Sequence, residues 1–283
     1  MKDILVQLDQ GARSAVRLGV AADLARRFGS YLTGLFVVDI PNAEYLYGAG
    51  MPMAGLGPDP TIDVMTAQAR TRAEPVEAAF RQELRQHDLQ GTWRIIEGDT
   101  PAVLGADAHY ADLVVVGQPN DPRRRDNRGR LVVETVLMTS GRPILTIPFA
   151  GDFPTLTEHV LIAWNASREA TRAVHDALPL LREAGQVTIL AVNPSASVAQ
   201  DTAGVPPANL ATHLARHGIK AETTRTIARN VADGEALLSY AADISATMIV
   251  AGGYGHSRAR EMIFGGVTRT LLAEMTVPVF FSH

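Results

Sequence analysis

Short uninterrupted apolar runs alternate along this chain with longer stretches of helical periodicity. In the second half the runs are Val160–Trp164, Val187–Val192, Met248–Ala251 and Val279–Phe281. They are too short for free-standing helices and read as strands buried on both faces. Between the first two, Ala170, Ala173, Val174, Ala177, Leu178 and Leu181 form one apolar stripe at helical spacing, with Ser167 as a candidate N-cap. Pro179 falls inside that stripe and is expected to kink the helix or to end its regular part. The first half repeats the scheme with strands at Ile4–Leu8, Tyr31–Val38, Trp93–Glu97, Leu113–Val116 and Ile144–Ile147, and with a helical stripe at Leu18, Ala21, Ala22 and Ala25. Each half therefore predicts strand, helix, strand, long connection, strand, helix, strand, helix, strand. That order implies an α/β fold with a parallel sheet covered on both faces.

The two halves also resemble each other residue by residue. Tyr110–Pro143 lies on Ser245–Pro278 without a gap at an offset of 135, with nine identities in thirty-four positions, Gly117/Gly252 and Pro143/Pro278 among them. Residues 3–15 lie on 159–171 at an offset of 156, so the first half is 21 residues longer inside. The excess is placed in 41–62, whose glycines and prolines predict irregular, exposed structure, and whose Tyr45, Tyr47, Met51 and Met53 suit a lid over a cleft, a surface packed against a partner, or a loop folded onto its own half. Expected domains are 1–148 and 159–283, joined by a linker at 149–158. The two halves are expected to pair through their closing strands, Ile144–Ile147 and Val279–Phe281.

Composition narrows the function classes. The chain has 283 residues, 46% hydrophobic and 20% charged, which is globular. A net charge of −4 speaks against a protein held on nucleic acid or a lipid surface by its overall charge. Five arginines between Arg123 and Arg130 are interleaved with aspartate and lack aromatic neighbours, so they read as a solvated loop and not as a nucleic-acid grip. There is no cysteine, which excludes disulfides and thiolate chemistry. His213 and His217 stand four apart without the glutamate of a zinc protease, and no metal site or catalytic triad is predicted. Neither a signal peptide nor a membrane span is read from the hydropathy, and a cytoplasmic protein is expected.

The segment most suggestive of chemistry is 251–272, AGGYGHSRAREMIFGGVTRTLL. It follows a strand and runs into a helix. Glycines at such a turn let backbone N–H groups approach phosphate, and the helix N-terminus adds a favourable dipole. Gly252 and Gly255 bracket the turn, and nine residues separate Gly255 from Gly265 and Gly266. Neither the dinucleotide fingerprint nor the Walker sequence is present.

This arrangement resembles the universal stress protein family, in whose nucleotide-binding members glycine, two residues, glycine, nine residues and glycine are followed by serine or threonine. The resemblance covers both halves and is closer in the second. It implies two repeated Rossmann-like halves of the adenine nucleotide α-hydrolase type, each a five-stranded, mainly parallel sheet flanked by helices. It also implies ATP, with Mg2+ on its phosphates, as ligand of the second half. Gly252, Gly255, Gly265 and Gly266 would surround ribose and phosphates, with His256, Val267 and Thr268 beside them. Asn165 takes the place of an acidic residue that holds adenine and ribose, and Val192 or Asn193 would meet the base through backbone. Two departures stand out: Gly266 replaces the phosphate-binding hydroxyl, and Asn165 replaces the carboxylate. In the first half Asp9 keeps the acid, but Asn120, Arg130 and Leu131 stand where glycines are needed. The resemblance implies a stress-response protein acting through nucleotide-dependent interactions, with an unidentified protein partner and a homodimer as further associations. The alternatives are a protein-interaction scaffold without nucleotide, and a slow ATPase, for which no general base is legible.

Overall fold

The computed structural model describes residues 1–39, 60–119, 128–193, 207–254 and 266–283. The chain divides into two compact units, Met1–Gly117 with Leu131–Ser140, and Gln118–Arg130 with Gly141–His283.

In the first unit the order is β1 (Asp3–Leu8), α1 (Ser14–Phe28), β2 (Tyr31–Asp39), α2 (Pro60–Gln86), β3 (Gly91–Gly98), α3 (Thr100–Ala108) and β4 (Leu113–Gly117), followed by most of α4 (Arg128–Thr139). The strands run parallel in the order β3-β2-β1-β4. Two of these strands are apolar on both faces: Ile4, Leu5, Val6 and Leu8 of β1 and Leu113 to Val116 of β4 are buried.

The second unit contains β5 (Ile144–Ile147), β6 (His159–Ala163), α5 (Arg168–Arg182), β7 (Gln186–Val192), α6 (Pro207–Arg216), β8 (Glu222–Thr226), α7 (Asp233–Asp243), β9 (Met248–Gly252), α8 (Gly266–Glu274) and β10 (Val279–Ser282). Its strand order is β5-β10-β9-β6-β7-β8. All neighbours are parallel except β5, which meets β10 antiparallel with Val279 opposite Thr146 and Phe281 opposite Ile144. The two closing strands expected to pair thus do so.

In each unit the chain reverses direction of travel beside the first strand, since β1 lies between β2 and β4, and β6 between β7 and β9. Such switch points leave a crevice at the carboxyl ends of the strands, where α/β proteins take their ligands.

Three details depart from the apolar pattern. The strand β8, ETTRT, has no apolar run because it is the outer strand of its unit, with side chains exposed or half-buried. The long connection of the first half holds a 27-residue helix, α2, with Pro75 inside it, and this helix takes up 60–62 of the segment expected to be irregular. The rest of that segment, 41–59, lies outside the described residues. In α5 the helix continues through Pro179 to Arg182, and Leu180 is buried where Leu178 is half-buried. Pro179 lies in the last turn, so only one intrahelical bond is forgone. Among the described residues no helix is long and apolar enough to cross a membrane.

Candidate functional site

The second unit's crevice begins at the turn from β6 into α5. The side-chain oxygen of Asn165 accepts the backbone N–H of Ser167 at 3.1 Å, and Ser167 in turn caps α5 by accepting from Ala170 N at 3.1 Å. Ala166, between them, has φ +58°, a left-handed conformation costing about 1 kcal/mol for a residue with a Cβ. A backbone N–H can only donate, so the oxygen branch of the Asn165 amide faces it. The nitrogen branch keeps both its donors, and Asn165 is exposed.

At the turn after β9, Gly253 donates to Ser282 O at 2.8 Å, and the carbonyl of Gly253 lies 3.0 Å from His283 Nδ1. Tyr254, with φ +58°, donates its backbone N–H to Thr268 Oγ1 at 3.2 Å. Thr268 is buried in the first turn of α8, so its hydroxyl packs and caps within the fold, while Val267 beside it is half-buried. Gly266 opens α8 at the surface, and a Cβ placed there would meet nothing within 4 Å. Gly252 is different. A Cβ there would lie 2.5 Å from Ala170 N and 2.6 Å from Glu169 C, so the first turn of α5 rests directly on this glycine. Gly255, His256 and Gly265 lie outside the described residues.

The end of β7 forms the far side. Val192 is paired with Thr226 and half-buried. Asn193, at φ +44°, donates its backbone N–H to Thr226 O at 2.9 Å. Its side chain is committed as well: Nδ2 donates to Asp233 Oδ1 at 2.7 Å and to Ala228 O at 3.2 Å, and Oδ1 accepts from Ala228 N at 2.9 Å. Asn193 thus braces the loop between β8 and α7. The fold brings Asn165, Gly252 and Asn193 to the carboxyl edge of three adjacent strands, and the bond between Tyr254 and Thr268 ties α8 to the same edge.

In the first unit the matching crevice is built differently. Asp9 Oδ1 accepts from Gly11 N at 2.6 Å, the same turn that Asn165 makes. Its other oxygen, Oδ2, accepts from Arg17 NH2 at 2.6 Å. Arg17 also donates through Nε to Gln7 O at 3.0 Å, and its NH1 lies 2.6 Å from where a Cβ on Gly117 would be. The Arg17 side chain is only 6% exposed. Reading the apolar stripe of α1 alone misses Arg17. The signal is present in the repeat: the 156 offset sets this cation against Ala173.

Two other features are separate from these crevices. A cavity of about 600 Å³ in the first unit, lined by Lys2, Arg26, Tyr31, His87 and Asp88 among others, opens at the amino ends of β1 and β2, away from Asp9. Among the described residues no group of three or more His, Asp or Glu is placed to hold a metal ion.

Comparison with known proteins bears on this geometry. Residues 157–283 match the model of the universal stress protein family. No curated protein sequence matches the chain. A universal stress protein from Archaeoglobus fulgidus DSM 4304 has a similar structure, with a TM-score of 0.74 at 19% identity over 99% of this chain and 97% of that one. A functionally unknown protein from Pseudomonas aeruginosa PAO1 superposes with a TM-score of 0.59 at 12% identity, over 100% of this chain and 92% of its own. At these identities the likeness is one of fold.

Proposed function

We propose that this chain, whose residues 157–283 belong to the universal stress protein family, binds an adenine nucleotide at the carboxyl edge of the second half and alters its interactions with other proteins according to occupancy. ATP with Mg2+ on its phosphates is the proposed ligand. The observation that carries the reading is the start of α8: Gly266 leaves open space at a helix N-terminus, and the bond from Tyr254 to Thr268 ties that terminus to the end of β9. Unpaired N–H groups and the helix dipole make such a terminus favourable for phosphate. Across the crevice, the unbonded Nδ2 of Asn165 offers a donor to ribose or base. When bound, ATP would supply its polyphosphate as the charged group that the turn recognises. The chain's own part is to orient and hold it, and no residue is assigned a catalytic step.

A second reading, a scaffold of the same fold without nucleotide, draws on two observations. Thr268 is buried and its hydroxyl oxygen accepts from Tyr254 inside the fold, so it does not replace the hydroxyl missing at Gly266. The absence of a side chain at Gly252 is also explained by the packing of α5 alone.

Thermal melts with ATP, ADP, AMP and no ligand, each with Mg2+, separate the two. A ligand at 100 times its Kd adds about 2.7 kcal/mol to the folded state, enough to move a melting curve. An upward shift with ATP supports the nucleotide reading, and no shift at millimolar ATP supports the scaffold. Association of two chains belongs to the same proposal and is read by sedimentation of the full chain.

A further inference from the structure

We propose that the crevice of the first half is a self-occupied site, in which the Arg17 guanidinium stands where a ligand would and Asp9 serves as its recognition group. Two of the three guanidinium nitrogens have an acceptor within the fold. Nε donates to Gln7 O at the end of β1, NH2 donates to Asp9 Oδ2, and NH1 lies over Gly117 at the end of β4. A carbonyl, a carboxylate and a bare glycine floor are what a protein offers a bound guanidinium, since the planar fork needs matched acceptors and close approach. The group is almost wholly enclosed while Asp9 keeps 32% of its side chain exposed, so the acid forms the rim and the arginine fills the interior.

The repeat shows that this arrangement comes as a set. In the second half the positions of Gln7, Asp9, Arg17 and Gly117 are held by Ala163, Asn165, Ala173 and Gly252. There the cation and the carboxylate are both missing, and the backbone of Glu169 and Ala170 rests on the glycine instead. Gly117 meets a side-chain end, whereas Gly252 meets main chain. The acid in the first half, which by resemblance alone is a ligand residue, is thereby committed to the chain's own cation. The inference does not depend on nucleotide binding in the second half, and its test uses none.

The test is chemical rescue in the full chain. Arg17→Ala should lower the melting temperature by roughly 6–10 °C, as expected when one partner of a largely buried pair is removed. Millimolar methylguanidinium should recover at least half of that loss, because it restores the charge and the fork. Methylurea, of similar shape but neutral, should not. The double variant Asp9→Asn/Arg17→Ala should lose the response, and the unmodified chain should show none because its crevice is filled. An Arg17→Ala chain that melts like the original, or one that answers methylurea as well as methylguanidinium, overturns the proposal. Should the alanine variant fail to fold, Arg17→Lys and Asp9→Asn, alone and together, carry the test. Non-additive shifts support the pairing and additive shifts overturn it.

Discussion

Tyr254 donates its backbone N–H to the hydroxyl of Thr268, fourteen positions later in the first turn of α8, at 3.2 Å. The donor follows a strand and the acceptor is buried in a helix, so this bond ties the N-terminus of α8 to the end of β9.

Thr268→Val keeps the shape and removes the acceptor, leaving the Tyr254 N–H without it. The expected cost is about 1–2 kcal/mol in urea unfolding. If nucleotide binds here, its affinity should fall as well, although Thr268 need not touch it. A Thr268→Val chain of unchanged stability would show that the turn is held by its other bonds, from Gly253 to Ser282 and from His283.

Gly266→Ser restores the hydroxyl that the family motif carries. The site has room, since nothing lies within 4 Å of where a Cβ would stand, and serine is well suited to the start of a helix. One added hydrogen bond to phosphate is worth about 0.5–1.5 kcal/mol, so ATP should bind roughly 2- to 12-fold more tightly by calorimetry. Unchanged affinity in a folded variant that still binds ATP would place the phosphates elsewhere.

The fold was legible because its strands are buried on both faces and the chain states its design twice. The β8 strand escaped because an outer strand needs no apolar run, and α2 because its first positions continue the glycine- and proline-rich segment before it. The site was legible only in part. Spacing identifies Gly252, but its reason in the structure, the backbone of Glu169 and Ala170 at contact distance, arises from a helix more than eighty residues earlier in the chain. Asn193 stands out by its position at a strand end, yet its amide is absorbed by Ala228 and Asp233, partners that no local pattern connects to it. Arg17 sits beside a helical stripe that would tolerate an alanine. Only the comparison of Asp9 and Arg17 with Asn165 and Ala173 reveals it as a pair.

A group of histidines sets a pH dependence. The His213 ring on α6 packs at a tilt against His175 of α5, ring centroids 5.1 Å apart, and edge-on against His217 at 4.7 Å. Arg182 lies 3.5 Å from His217, and Arg216 adjoins the group. Burial first, then the neighbouring His175, His217 and Arg216, lower the pKa of His213 below its ordinary 6.5. The unfolded chain therefore binds this proton more readily than the folded one. The contribution of His213 to stability is whole above about pH 6.5 and is lost as pH falls through that value toward the lowered one. Melts between neutral pH and about pH 5 should show this decline, and His213→Phe, which keeps a ring in the group, should flatten it. An identical decline in both chains would assign the effect to other groups.

The two strand-ending glycines provide a test in which each half controls for the other. A Cβ at Gly252 would stand 2.5 Å from Ala170 N and 2.6 Å from Glu169 C, both main chain of the first turn of α5. That turn is pinned by the cap from Ser167 and by Asn165, so it cannot retreat without breaking them. A Cβ at Gly117 would stand 2.6 Å from Arg17 NH1, the tip of a long side chain. The tip can swing, at the expense of part of its contact with Asp9. Gly252→Ala should therefore cost about 2–3 kcal/mol in urea unfolding and Gly117→Ala about 1 kcal/mol, since overpacking is costly where neighbours cannot move. The sharper expectation is in combination. With Arg17→Ala already in place, Gly117→Ala should become nearly free, because the atom it would strike is gone, whereas Gly252→Ala should cost as much as before. Equal costs at the two glycines, or a Gly117→Ala penalty that persists without the arginine, would mean that both ends are limited by main chain and that Arg17 does not fill the first crevice.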